Sequence, residues 1–206
     1  MTGTTTAADY GWFEERYENL MQAYCITLVR GLTPTELLRE LKAEPGPRIT
    51  GVDGLCEPSY EVDAAYRLFV GATQVGDWSL MVEFNGYLGV TNAAMIPLSR
   101  GRTVVSHFLN VNAVDDFCWY EDGELRLHFQ PLFAYERHGT RPDELLEDMR
   151  ESGFDLIEHD EDDERDYEGL TGASFALAHR ITGIRLTPEL FESAEFTCGV
   201  APVPHG

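Results

Sequence analysis

The sequence predicts an α+β fold: a largely antiparallel sheet with helices packed mainly on one face, in a single domain. Three features carry that expectation. Runs that read as strands recur through residues 77–132, at 78–84, 102–110, 117–120 and 125–129. Asn85-Gly86 and Asp122-Gly123 fall between such runs, and these pairs take the positive φ of a two-residue hairpin turn at least cost. Outside this stretch, Thr33-Pro34-Thr35-Glu36 and Thr187-Pro188-Glu189 are helix starts, with Thr as cap and Pro at the first helical position.

Each element follows from its own pattern. Residues 9–20 predict a short helix with Trp12, Phe13, Tyr17 and Leu20 on one side, and 23–29 a buried strand. Thr33 and Glu36 form a capping box for a helix that buries Leu37, Leu38 and Leu41, and Pro45-Gly46-Pro47 is expected to end it. Residues 48–57 and 58–68 carry no decisive pattern, and 69–75 reads as a strand. In 78–84, Trp78, Leu80, Val82 and Phe84 form an apolar set with Ser79 and Glu83 opposite, leading through Asn85-Gly86 into a second strand at 87–90. Strand 102–110 is apolar at both parities, as a central strand should be. In 125–129, Leu125, Leu127 and Phe129 point one way and Arg126 and His128 the other. Pro97 closes one or two helical turns within 91–98. Helices follow at 142–151, stopped by Gly153, and at 170–182, stopped by Gly183. A short helix after Thr187 precedes a final strand at 195–200. The likeness of Leu32-Thr-Pro-Thr-Glu-Leu37 to Leu186-Thr-Pro-Glu-Leu190 reflects shared capping chemistry rather than a duplicated unit.

Residues 1–8 read as a disordered lead-in, 9–201 as the domain and 202–206 as a tail. No run nears the ~18 consecutive apolar residues of a membrane helix. The four cysteines (Cys25, Cys56, Cys118, Cys198) show no Cys-x-x-Cys spacing and read as buried free thiols. With no secretory signal at the N-terminus, a cytoplasmic location is expected. The formal charge is −21, a field that repels nucleic-acid backbones and anionic lipid and favours basic partners. Eight acids against Arg165 give residues 158–168 a net −7, the pattern of a solvated acidic loop.

Several phrases occur together: the Trp78-to-Gly86 stretch, Asn110-Val-Asn112-Ala-Val, Phe117-Cys-Trp-Tyr-Glu-Asp-Gly123, Phe129-Gln-Pro-Leu132 and Ala178-His-Arg-Ile-Thr-Gly-Ile-Arg-Leu-Thr-Pro188. With them the chain resembles an uncharacterised actinobacterial family of unknown function, from about residue 23 to about residue 202. The resemblance implies an intracellular bacterial protein of one domain, and it supplies no activity or catalytic residues.

Two functional readings follow. The leading one is a non-catalytic acidic interaction module, immunity- or regulator-like, that presents Asp160, Glu161, Asp162, Asp163, Glu164 and Asp166 to a basic protein partner. The alternative is a small-molecule binding protein or enzyme with a pocket near Asn110, Asn112, Asp115 and Asp116. There His107 beside a carboxylate is the minimum equipment for acid–base chemistry. No metal or cofactor is expected. The alternate acids Asp160, Asp162 and Glu164 echo a calcium loop, but Arg165 stands where its Gly is required and Thr171 where its Glu is required. Walker A, Gly-x-Ser-x-Gly and His-Glu-x-x-His motifs are absent.

Overall fold

The computed structural model describes residues 5–158 and 168–204. The chain enters through a 3₁₀ turn, Ala7–Tyr10, and two one-turn helices, α1 (Trp12–Arg16) and α2 (Glu18–Gln22). The single helix expected here breaks at Tyr17, whose φ/ψ of −122°/51° is not helical. The break lets both turns bury their anchors: Phe13, Tyr17 and Leu20 are all inside. Phe13 is a hub of edge-to-face contacts with Tyr24, Phe175 and Phe191, at centroid distances of 5.5, 4.9 and 5.6 Å.

Strand β1 (Tyr24–Arg30) leads to α3 (Pro34–Glu40). The capping box forms as expected: Glu36 N donates to Thr33 Oγ1 at 3.3 Å and Thr33 N to Glu36 Oε2 at 2.9 Å. Such a cap contributes about 1 kcal/mol. The helix stops earlier than Pro45-Gly46-Pro47, which instead lies inside β2 (Glu44–Thr50). Prolines fit there because β2 is an edge strand with β9 as its single neighbour, and its register shifts between Pro45 and Arg48.

Next come a 3₁₀ turn (Val52–Leu55), α4 (Cys56–Tyr60), β3 (Arg67–Val75) and β4 (Trp78–Phe84). They are followed by α5 (Asn92–Leu98), β5 (Thr103–Leu109), β6 (Asp115–Glu121), β7 (Glu124–Phe129) and β8 (Arg137–His138). The last elements are α6 (Leu146–Ser152), α7 (Leu170–Thr182), α8 (Pro188–Ser193) and β9 (Glu195–Pro202). Helix α7 ends at Gly183 and α6 at Gly153, both at positive φ, as the sequence predicts. The lead-in is docked from Thr5 onward, where its carbonyl accepts from Arg180.

The strands form one sheet in the order β2-β9-β3-β4-β1-β5-β6-β7-β8, every neighbouring pair antiparallel. Among the described residues, six of the eight α-helices (α1, α2, α4, α6, α7 and α8) cover one face. They pack on Tyr24, Ile26 and Leu28 of β1, on Val105 of β5 and on Phe117 and Trp119 of β6. Helices α3 and α5 cover the other face, over Val29, Met81, Val104, Cys118 and Tyr120. Cys25, Cys118 and Cys198 are buried free thiols, and Cys56 is half-buried.

Two strand expectations are corrected. Asn85 does take positive φ (49°), yet 87–90 is no strand: Leu88–Val90 is a 3₁₀ turn. Glu83, the one acid in β4, is fully buried and captures that turn, accepting from Leu88 N at 3.0 Å and Gly89 N at 3.2 Å. The β4 hairpin runs backwards instead, to β3 through Gly76-Asp77, with Val75 opposite Trp78. Asp122-Gly123 makes its hairpin as expected, both residues at positive φ. A bulge in that hairpin leaves Leu127 opposite Trp119 but Leu125 opposite Tyr120. Leu125 therefore packs on the α3/α5 face, and Leu127 and Phe129 on the α7 face.

Gly89 lies so close to β1 and β5 that a Cβ there would overlap Thr27 Oγ1 and come within 2.8 Å of Cys25 Sγ and 3.1 Å of Ser106 Oγ. Gly89→Ala is expected to destabilise the protein by about 3 kcal/mol or more in urea unfolding. Adding Thr27→Ala should restore part of that loss, whereas strictly additive effects would show that the overlap is not the cause.

Candidate functional site

The expected constellation at the end of β5 and β6 is divided by strand parity. His107 pairs with Phe117 and Leu109 with Asp115, so His107 and Asp115 occupy diagonal positions on the α7 face. Asp116 points to the opposite face, where His128 Nε2 donates to its Oδ1 at 2.7 Å and the His128 ring stacks on His138. Asn110 and Asn112 shape the connecting turn. Asn110 Oδ1 accepts from Asn112 N at 2.9 Å and Val114 N at 3.2 Å, and Ala113 takes φ 55°.

Two residues that pattern reading missed complete the buried part. Tyr24 Oη lies 2.9 Å from His107 Nδ1, and Thr171, in the first turn of α7, sits beside the same hydroxyl. Phe175 closes the cluster with its ring edge-on to the imidazole at 5.9 Å. The parity signal was present in Tyr24-x-Ile26-x-Leu28 and Val105-x-His107-x-Leu109, which put both polar residues among core positions.

Burial fixes the protonation states. His107 is 2 % exposed, and desolvation pushes its pKa down to about 3. Burial holds the Tyr24 hydroxyl far above its ordinary range, so it stays protonated. His107 Nε2 has no partner among the described residues. Asp115 is raised to about 7, first by burial and then by the charge of Asp116. On the other face burial raises Glu83 to about 7 against the opposing hydrogen bonds from Leu88 and Gly89. The Tyr24–His107 pair thus ties β1 to β5, buried beneath Phe175 of α7. Among the described residues, no three His, Cys, Asp or Glu side chains converge as a metal site.

Two cavities lie elsewhere. One, of about 280 Å³, opens between the end of α3, α5 and the end of β9. The other, of about 360 Å³, is polar and lies where β1 ends, with Arg30 and Arg102 set among Glu121 and Asp122.

The described start of the acid-rich part of the chain, residues 145–156, packs on the α7 face. From residue 143 to residue 168 there are fourteen Asp and Glu against two Arg. Met149 and Phe154 are buried, Phe154 edge-on to Phe129 at 5.0 Å, while Glu147, Glu151, Asp155 and Glu158 face outward. Arg180 of α7 braces α6 by contacts to Asp148 (3.3 Å) and Glu151 (2.6 Å). Asp160, Glu161, Asp162, Asp163, Glu164 and Asp166 lie outside the described residues. Among the described residues no helix is long and apolar enough to cross a membrane.

The pH dependence of stability tests the buried histidine. Its folded pKa lies below the ~6.5 of an unfolded histidine. Its contribution is therefore present above pH 6.5 and lost as pH falls toward 3. Glu83 and Asp115 act with the opposite sign, present at low pH and lost as pH rises through about 7. Comparing wild type with His107→Gln cancels those two. The stability gap between them should shrink by about 1.4 kcal/mol per pH unit below 6.5, and a constant gap would show that His107 titrates normally.

The chain belongs to a family of unknown function, DUF6461, whose sequence profile matches residues 3–205. Searches of curated proteins and of solved structures found no match.

Proposed function

We propose that this member of DUF6461 is a non-catalytic, acidic protein-interaction module that binds a basic partner, in an immunity- or regulator-like role. One observation carries the reading: Glu147 and Glu151 of α6 face outward from a helix anchored in the core by Met149, with Phe154 buried just beyond its end, and the sequence continues from there into the −7 block. An acidic face on a docked helix needs little ordering when a partner arrives, which lowers the cost of association. Its field steers a basic protein and raises the encounter rate. Among the described residues Arg137, Arg141 and Arg180 hold Asp143, Glu144, Asp148 and Glu151, so the excess charge behind the reading is that of the sequence, fourteen acids against two arginines from 143 to 168. The Tyr24–His107 cluster supports the non-catalytic part, because its imidazole is neutral, buried and closed over by Phe175.

The test is capture from native lysate at about 50 mM and about 500 mM salt, read by mass spectrometry, followed by kinetics with the purified partner. A protein of net positive charge, held at low salt and released at high salt, is expected, since the Debye length falls well below 10 Å at the higher salt. Replacing Asp160, Asp162, Asp163 and Asp166 together with Asn should slow its association roughly tenfold while leaving dissociation nearly unchanged. Salt-independent capture, or an unchanged association rate, would remove the reading.

A further inference from the structure

We propose that the cavity between α3, α5 and the end of β9 binds a small apolar monocarboxylate, with Lys42 as the charge that holds its head. Leu41, Leu88 and Leu98 are buried and form the floor, while Ala94, Pro97 and Pro202 form walls. Its volume of about 280 Å³ lies at the small end of ligand pockets, and an apolar lining with a few polar groups at the mouth is their usual composition. The small side chains of Ala93 and Ala94 keep the space open on the α5 side.

Lys42 is the only lysine among the fifteen basic residues of the chain. It follows the C-cap of α3 at φ 56°, where Lys42 N donates to Arg39 O at 3.0 Å and Ala43 N to Leu38 O at 2.9 Å. That helix-ending motif favours Gly, because a Cβ crowds the backbone in the left-handed region. A lysine placed anywhere in the last turn would gain the same attraction to the helix dipole without that strain. The strained position does one further thing: it makes Lys42 part of the lining of an apolar cavity. Among the described residues Lys42 joins no ion pair, whereas arginines elsewhere hold carboxylates, as Arg16 holds Glu192 and Arg48 holds Glu195.

Glu40 also lines the cavity and limits the ligand. Beside one carboxylate, and in a chain of charge −21, a multiply charged anion is repelled twice. A single carboxylate on an apolar body avoids that, drawing most of its affinity from burial at roughly fourfold per methylene.

Octanoate, octanol and octylamine, titrated calorimetrically into the full-length protein, test this. Octanoate is expected to bind at least tenfold more tightly than octanol. Lys42→Met should weaken octanoate to the level of octanol. Ala94→Phe, which fills the cavity and leaves the charge, should abolish both. Lys42→Gly should raise the melting temperature while losing octanoate binding, which separates the ligand role from a folding role. No octanoate binding up to about 10 mM, equal binding of octanol, tighter binding of octylamine, or retention of octanoate by Ala94→Phe would each overturn the proposal.

Discussion

Strand β1 is the constraint on which the rest depends. It lies fifth of nine strands, hydrogen-bonded on both sides and covered on both faces, and only Arg30 at its end is exposed. Every polar group on such a strand must find its partner inside the protein or cost the fold its desolvation. Tyr24 finds His107, and Thr27 accepts from Ser106 Oγ at 3.1 Å. These bonds select the neighbours as well as satisfy the strand. They fix β5 beside β1 in one register.

The buried acid Glu83 applies the same logic to a loop. Its carboxylate is enclosed next to β1, and the backbone N–H groups of Leu88 and Gly89 are its partners. That pairing folds the chain into a 3₁₀ turn over Cys25, Thr27 and Ser106, where Gly89 alone gives the clearance. One carboxylate thereby sets the course of the chain from β4 to α5, and α5 in turn forms a wall of the cavity. Local turn chemistry at Asn85-Gly86 favours a hairpin, but the hydrogen bonds from Leu88 N and Gly89 N to Glu83 outweigh it, since a buried acid without partners costs more than a hairpin turn gains.

Much of the fold was legible because its signals are local. The bounds of α7 follow from an apolar stripe ended by Gly183, the α3 start from Thr33 and Glu36, and the β6–β7 turn from Asp122-Gly123. The hidden parts depend on tertiary partners. The centrality of β1 cannot be read from its seven residues, and the Leu125 bulge is invisible to a parity count. Part of the candidate site was legible too. Adjacent residues on a strand face opposite ways, so Asp115 and Asp116 had to diverge, and the core parity of Val105, His107 and Leu109 already implied a buried imidazole. The cavity was not legible, because residues 40–42, 88–98 and 202–204 meet there from three distant stretches of chain.

The sheet also separates the two surfaces. Helix α6 and the residues just after it are docked on the α7 face through Met149 and Phe154, while the Lys42 cavity opens on the α3/α5 face through Leu41 and Leu98. Any basic partner that neutralised the acids would reduce the field opposing an anion at Lys42, and linkage requires the anion to return the same coupling to the partner. That coupling must cross the thickness of a covered sheet. Two packed layers span roughly 10 Å, already more than the ~8 Å Debye length at physiological salt. At such separations exposed charges are largely screened, so the field alone transmits little. Strong coupling would have to travel through the packing of β1 and β5, whose polar side chains are held in one arrangement by Tyr24–His107 and Thr27–Ser106. A strand fixed in this way resists sliding, which leaves the two faces free to act independently.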